Sequence, residues 1–136
     1  GVTVGPSGEG RRIPVVPRLA NATAEGQPRY VAGPNVEGLA AGEYSGIVLA
    51  NVPGNARDVA IEGGEFPTLD GTDGPTRAVG VYVRILPGAT ATVTTTFTLP
   101  AEVRSMRVEP SARVKQMVWT LDGEEYPVER RRTLSW

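Results

Sequence analysis

Side-chain character alternates with a period of two through residues 76–100, on both sides of a Leu86-Pro87-Gly88-Ala89 turn. Val79, Val81, Val83 and Ile85 share one face of the incoming segment, and Gly80, Tyr82 and Arg84 share the other. In the outgoing segment Ala91, Val93, Thr95, Phe97 and Leu99 oppose a row formed by Thr90, Thr92, Thr94, Thr96 and Thr98. Strand side chains point alternately to the two faces of a sheet, so the pattern specifies two half-buried strands and excludes a helix. The β-branched content agrees, because threonine and valine lose less freedom on a pleated surface than in a helical turn. Pro87-Gly88 is the central pair of a type II turn, which splays its flanking strands where hairpins favour the primed types. The two strands are therefore expected on opposite sheets, joined by an arch, with the threonine row outermost.

Glycine and proline supply 29 of the 136 residues and seldom leave ten residues uninterrupted, so long helices have little room. Strands are expected over residues 2–4, 13–20, 44–52, 57–62, 77–86, 90–99, 103–109 and 114–121, with a weaker one after Glu125. Short strands separated by turn signals at this spacing point to an all-β, immunoglobulin-like antiparallel sandwich of about seven to nine short strands, in one domain spanning residues 1–136. Pro14 and Pro17 cannot donate ladder hydrogen bonds, which predicts that 13–20 runs at a sheet edge or is broken by a bulge. Long connections are expected over 20–44 and 63–75. Residues 111–122 fit both a helix template, through Val114, Met117, Val118 and Leu121, and a strand running into the Asp122-Gly123 hairpin signal; the strand is favoured.

The composition removes whole classes of chemistry. Cysteine and histidine are absent, so disulfides, thiolate and imidazole metal sites, cysteine nucleophiles and imidazole bases are all excluded. Fourteen basic and fifteen acidic residues leave a net charge of -1, which argues against nucleic acid or an anionic membrane as main partner. There is no apolar run long enough for a membrane span and no signal-peptide pattern. A single lysine, Lys115, against thirteen arginines gives the composition of a GC-rich genome. The chain, opening on Gly1 without methionine, is expected to be a C-terminal piece of a longer protein.

The remaining candidates are few. Glu62, Glu65, Asp70 and Asp73 place hard oxygen ligands near one glycine-rich loop, as calcium requires, yet Asp-Gly pairs are also ordinary turn residues and the spacing is not that of an EF-hand. Gly5-Pro6-Ser7-Gly8-Glu9-Gly10 lacks the helix and lysine of a phosphate loop and reads as a hairpin connection. No serine sits in a nucleophile elbow, and no carboxylate pair implies a glycosidase cleft. Trp119, Trp136, Tyr30, Tyr44, Tyr82 and Tyr126 are the rings available for stacking on a sugar, and Tyr82 is the one expected on an outward strand face. Arg130, Arg131 and Arg132 form a basic patch for a polymer or partner. Asn21-Ala22-Thr23 fits a glycosylation sequon, which the bacterial composition disfavours.

Several short elements occur in a distinctive order: Leu19-Ala20-Asn21-Ala22-Thr23, Pro28-Arg29-Tyr30-Val31-Ala32-Gly33-Pro34, Val59-Ala60-Ile61-Glu62-Gly63-Gly64, Leu86-Pro87-Gly88-Ala89-Thr90 and Phe97-Thr98-Leu99-Pro100. Together they resemble the C-terminal β-rich portion of a family of uncharacterised, membrane-tethered envelope proteins of high-GC Gram-positive bacteria, over roughly residues 18–122. The Leu-Pro-Gly and Leu-Pro part also resembles immunoglobulin-like accessory modules of secreted proteins. The resemblance implies an extracytoplasmic location and a sandwich fold, and it brings no catalytic residue and no cofactor. The expected role is a non-enzymatic structural or interaction module, its partners being other domains of the parent or cell-wall polymer. A carbohydrate-binding domain, and a calcium-dependent adhesion or hydrolase-associated domain, are the alternatives.

Overall fold

The computed structural model describes residues 5–7, 10–34, 36–111, 118–121, 124–127 and 131–136, with backbone alone for 5–7, 118–121, 124 and 126–127. Among the described residues strand predominates, helix is confined to one four-residue turn, and every pairing for which the register is known is antiparallel, so the fold is all-β. In order the strands are β1 (Gly5–Ser7), β2 (Gly10–Val15), β3 (Arg18–Ala20), β4 (Tyr44–Pro53), β5 (Arg57–Glu62), β6 (Phe66–Asp73) and β7 (Thr76–Ile85). They continue with β8 (Thr90–Thr92), β9 (Thr94–Pro100), β10 (Ser105–Val108), β11 (Val118–Leu121), β12 (Glu124–Pro127) and β13 (Arg132–Ser135). One helical turn, α1 (Arg29–Ala32), interrupts the connection between β3 and β4.

The chain divides into two compact units, one of Gly1–Val16, Asn55–Val59 and Thr96–Trp136, the other of Pro17–Gly54 and Ala60–Thr95. In the first, β1 pairs with β2, β10 with β13 and β11 with β12. Among the described residues Ile13, Phe97 and Leu99 are its buried apolar side chains, each 2% exposed or less. Trp136 packs with the Arg11 guanidinium 5.8 Å from its ring centroid and its indole N–H donating to the Val103 carbonyl at 3.3 Å.

The second unit is a two-layered sandwich. One layer is the three-stranded sheet β4-β7-β6, the other the pair β3-β8. Val81, Val83 and Ile85 point from β7 into the interior and meet Val93, with Leu19, Val48, Ile61, Ala89 and Ala91 packed around them. Burying each of these four fully contributes about 1.5–3 kcal/mol. The arch expected between β7 and β8 is present: the Ala89 N–H donates to the Leu86 carbonyl at 3.0 Å, Gly88 has φ of +72°, and the strands on either side enter different sheets. The hydrogen-bonding edges of β7 are both taken, by β4 and by β6, so β8 turns away to pair with β3.

Three expectations change. Residues 13–20 form two strands broken at Val16-Pro17, and β2 lies between β1 and β9, so Pro14 occupies an inner strand and not a sheet edge. The connection expected over residues 63–75 contains a strand, β6, at Phe66–Asp73. All its residues are exposed, so no buried face leaves an alternating pattern to read. The 90–99 strand divides at Val93 into β8 and β9. Val118–Leu121 is a strand, as favoured, paired in register Leu121↔Glu124 with β12; residues 2–4 and 112–117 lie outside the described residues.

Candidate functional site

Tyr82 and a group of apolar side chains fall on the outward face of the β4-β7-β6 sheet. Because Val81, Val83 and Ile85 face inward, Gly80, Tyr82 and Arg84 face outward. The register sets two cross-strand rows on that face: Ile47, Tyr82 and Phe66 in one, Leu49, Gly80 and Leu69 in the next. Four of these side chains stay about half exposed, Ile47 at 54%, Leu49 at 50%, Phe66 at 50% and Leu69 at 46%. Phe66 stacks on Tyr82, with ring centroids 5.0 Å apart and planes inclined by 18°. Offset stacking of this kind adds about 0.5–1.5 kcal/mol beyond burial.

Gly80 sits at the centre of the face. A Cβ there would lie 3.2 Å from Ile47 Cγ2, 3.3 Å from Leu49 Cδ1 and 3.3 Å from Leu69 Cβ. The three neighbours crowd the bare backbone, so a side chain at residue 80 would have to push between them.

Charge frames the apolar surface at one end. Glu43 is buried, and Arg84 grips it through Nε to Oε1 at 2.6 Å and Nη2 to Oε2 at 3.0 Å. Arg84 Nη2 also donates to the Gly38 carbonyl at 2.8 Å, and Glu65 stands 4.0 Å from its Nε. Hydrogen bonds from Arg84, and then one from the Ala40 N–H, hold the Glu43 carboxyl below the ordinary 4.5 despite its burial. Gly38, Ala40 and Glu43 are thereby bonded to one another through Arg84 and the Glu43 carboxylate. Arg29 adds hydrogen bonds to the carbonyls of Pro34, Val36 and Leu39, and Tyr30, Val31 and Val36 are exposed nearby in sequence.

The candidate calcium ligands do not converge. Asp70 is engaged by Arg77 through two hydrogen bonds of 2.7 Å, which keep its carboxyl below the ordinary 3.8. Glu65 faces Arg84, and Glu62 and Asp73 are exposed at strand ends. Among the described residues no three acids come together as a metal site. Of the arginine patch, Arg131 pairs with Glu109 at 3.0 Å and Arg132 opens β13 opposite Val108; Arg130 lies outside the described residues. The side chains of Trp119 and Tyr126 likewise lie outside them, and Trp136 is occupied by Arg11 and Val103.

No family model matches the chain, and no curated protein or solved structure is significantly similar to it.

Tyr82, the ring expected on an outward strand face, is half-buried beneath Phe66. Ile47, Leu49, Phe66 and Leu69 join it without having stood out in the sequence. Strand β4 carried the available signal, for it is apolar on both faces, a pattern usually read as burial on both sides. Here one of those faces is left open.

Proposed function

We propose that the chain is a non-enzymatic, immunoglobulin-like interaction module of the cell envelope of a high-GC Gram-positive bacterium, presenting the outward face of β4-β7-β6 to a partner domain of its parent protein. The observation that carries this reading is the cluster of exposed Ile47, Leu49, Phe66 and Leu69 around the half-buried Tyr82. Contiguous apolar surface of this kind on a soluble domain marks a binding site. Exposed rings and branched aliphatic side chains side by side fit another protein surface better than a polar small molecule. The location comes from the resemblance in the chain's ordered short elements. Support for a non-catalytic role comes from the lack of cysteine and histidine and from the carboxyls of Glu43 and Asp70, which arginines hold ionised where an acid catalyst needs the opposite shift.

A carbohydrate-binding reading has one observation in its favour, the exposed Phe66 ring stacked on Tyr82. Immobilised wild-type chain and the Phe66→Glu variant, challenged in parallel with solubilised envelope proteins and with purified cell-wall polymer, separate the two. Retention of a defined envelope protein by wild type, lost in F66E, is the expected result. Retention of the polymer alone transfers the site to the carbohydrate reading, and no retention of either removes both.

A further inference from the structure

The two edges of the β4-β7-β6 sheet are treated differently. A sheet edge is a row of unpaired backbone groups that will template a foreign strand unless charge, proline, a bulge or shortness prevents it. The β6 edge has three such protections, in Pro67, in Asp70 and Asp73, and in a register shift between Pro67 and Leu69. The β4 edge has none of them before its terminal Pro53. It is ten residues long, pairs with β7 through ten consecutive partners without a shift, and contains no charged residue in a chain that is 21% charged. Among the described residues β4 pairs with β7 alone.

We infer that β4 pairs with β4 of a second copy, antiparallel about a two-fold axis, joining two three-stranded sheets into one of six. An isologous strand pair brings each residue against its own counterpart's neighbourhood, so any charge near the axis meets the same charge again. A strand without charges is the sequence that permits this. Centred on Val48, the register sets Ile47 of each copy opposite Leu49 of the other, Gly46 opposite Ala50 and Ser45 opposite Asn51. Side chains opposite one another in an antiparallel pair lie on the same face, so the exposed Ile47 and Leu49 of both copies merge into one apolar band. The inference builds on the outward face described above and adds to it a specific partner, a second copy at its β4 margin.

Sedimentation velocity over a concentration series of the whole chain, with Ile47→Glu and Leu49→Lys separately and mixed, tests it. Wild type is expected to show a reversible monomer–dimer equilibrium. Each single variant is expected to dimerise at least about tenfold more weakly, since it places like charges diagonally across the axis. Mixing the two variants one to one restores a dimer, because the carboxylate introduced in one copy then stands opposite the ammonium introduced in the other. Concentration-dependent slowing of amide hydrogen exchange across residues 44–52 of the unmodified chain gives a readout that needs no variant. A wild type that stays monomeric with exchange independent of concentration overturns the inference, as do single variants that dimerise like wild type. F66E leaves β4 untouched, so absence of dimerisation with F66E-sensitive partner retention intact removes the second copy and not the interaction module.

Discussion

The Asn21 side-chain amide donates to the backbone carbonyl of Ile85 at 2.9 Å, joining the end of β3 to the end of β7 across 64 residues of sequence. Its second N–H donates to the Gly42 carbonyl at 2.8 Å, and its Oδ1 accepts from the Thr23 N–H at 3.1 Å. The Asn21 backbone meanwhile exchanges hydrogen bonds with Gly88 and Ala89 of the type II turn. One residue thus pins the arch, the β7 end and Gly42 together. Both amide hydrogens that a glycan would displace or constrain are committed to this role, which gives Asn21-Ala22-Thr23 a structural purpose independent of modification. Asn21→Ala is expected to lower stability by about 1–3 kcal/mol, the range for leaving partly buried carbonyls without donors. Asn21→Asp, which keeps the acceptor and loses both donors, is expected to cost a comparable amount. Urea denaturation with an unchanged m-value checks both.

Gly63 and Gly71 lie eight residues apart and are expected to respond to alanine in opposite ways. Gly63 has φ of +93°, and a Cβ built on it overlaps the carbonyl oxygen of Thr92, a backbone atom that has no freedom to yield. Gly71 has nothing within 4 Å of its would-be Cβ and does not occupy the left-handed region. Gly63→Ala is expected to cost about 1–3 kcal/mol from backbone strain alone, with the overlap added, and Gly71→Ala to stay within about 0.5 kcal/mol of wild type. Paired thermal melts decide the matter, and equal effects would mean that the close approach of residue 63 to Thr92 is not maintained in solution.

Phe97 is 2% exposed in the first unit, where its neighbours on the inward face of β9 include the equally buried Leu99. Phe97→Ala removes a full ring from a packed interior and is expected to cost about 3–5 kcal/mol. Phe66→Ala, at a ring half exposed on the outward face of the second unit, is expected to cost far less. Chemical denaturation of both variants tests that contrast, and a large loss for F66A would show that the outward face is held by packing and is not open.

Strand alternation was legible wherever one face is buried and the other is not. Val79–Ile85 and the 91–99 row advertised their inward side because each second residue but Thr95 is apolar, and the Pro87-Gly88 pair announced an arch for a reason internal to the turn. Strand β6 escaped because exposure of every residue from Phe66 to Asp73 erases the contrast on which the period of two depends. The site was legible only at Tyr82. Phe66 and Leu69 reach it through pairing with β7, a non-local contact that no local pattern encodes, and Gly80 matters through what its neighbours do above it. The Arg84–Glu43 pair, 41 residues apart, was hidden for the same reason.

Calcium is expected to leave the melting temperature unchanged at millimolar concentration. A cation at Asp70 would have to displace Arg77, which already satisfies both carboxylate oxygens, and neither Glu65 nor Asp73 is placed to complete a shell. A ligand that bound only the folded chain would raise the transition, so a clear upward shift reversed by chelation would show that this corner rearranges around the ion. Arg77→Ala is the sharper form of the experiment, since it frees Asp70 without supplying the missing ligands and is also expected to leave the chain indifferent to calcium.

Acid should loosen the second unit through Glu43. Its folded-state pKa lies below the ordinary 4.5, chiefly because Arg84 donates two hydrogen bonds to the carboxylate. A carboxyl whose pKa is depressed on folding binds fewer protons in the folded chain than in the unfolded one. Its stabilisation is therefore complete above the unfolded value and is lost as pH falls from about 4.5 through the folded pKa. Asp70 acts in the same direction from 3.8 downward, more weakly because it is exposed and screened. Glu43→Gln removes the charge at every pH while keeping an acceptor for Arg84. It is expected to be less stable than wild type at neutral pH and to show a flatter decline as pH falls through the interval around 4.5, so that the two proteins converge in acid. Stability measured by denaturant titration across that interval provides the check, and parallel curves for the two proteins would show that Glu43 titrates alike in the folded and unfolded states.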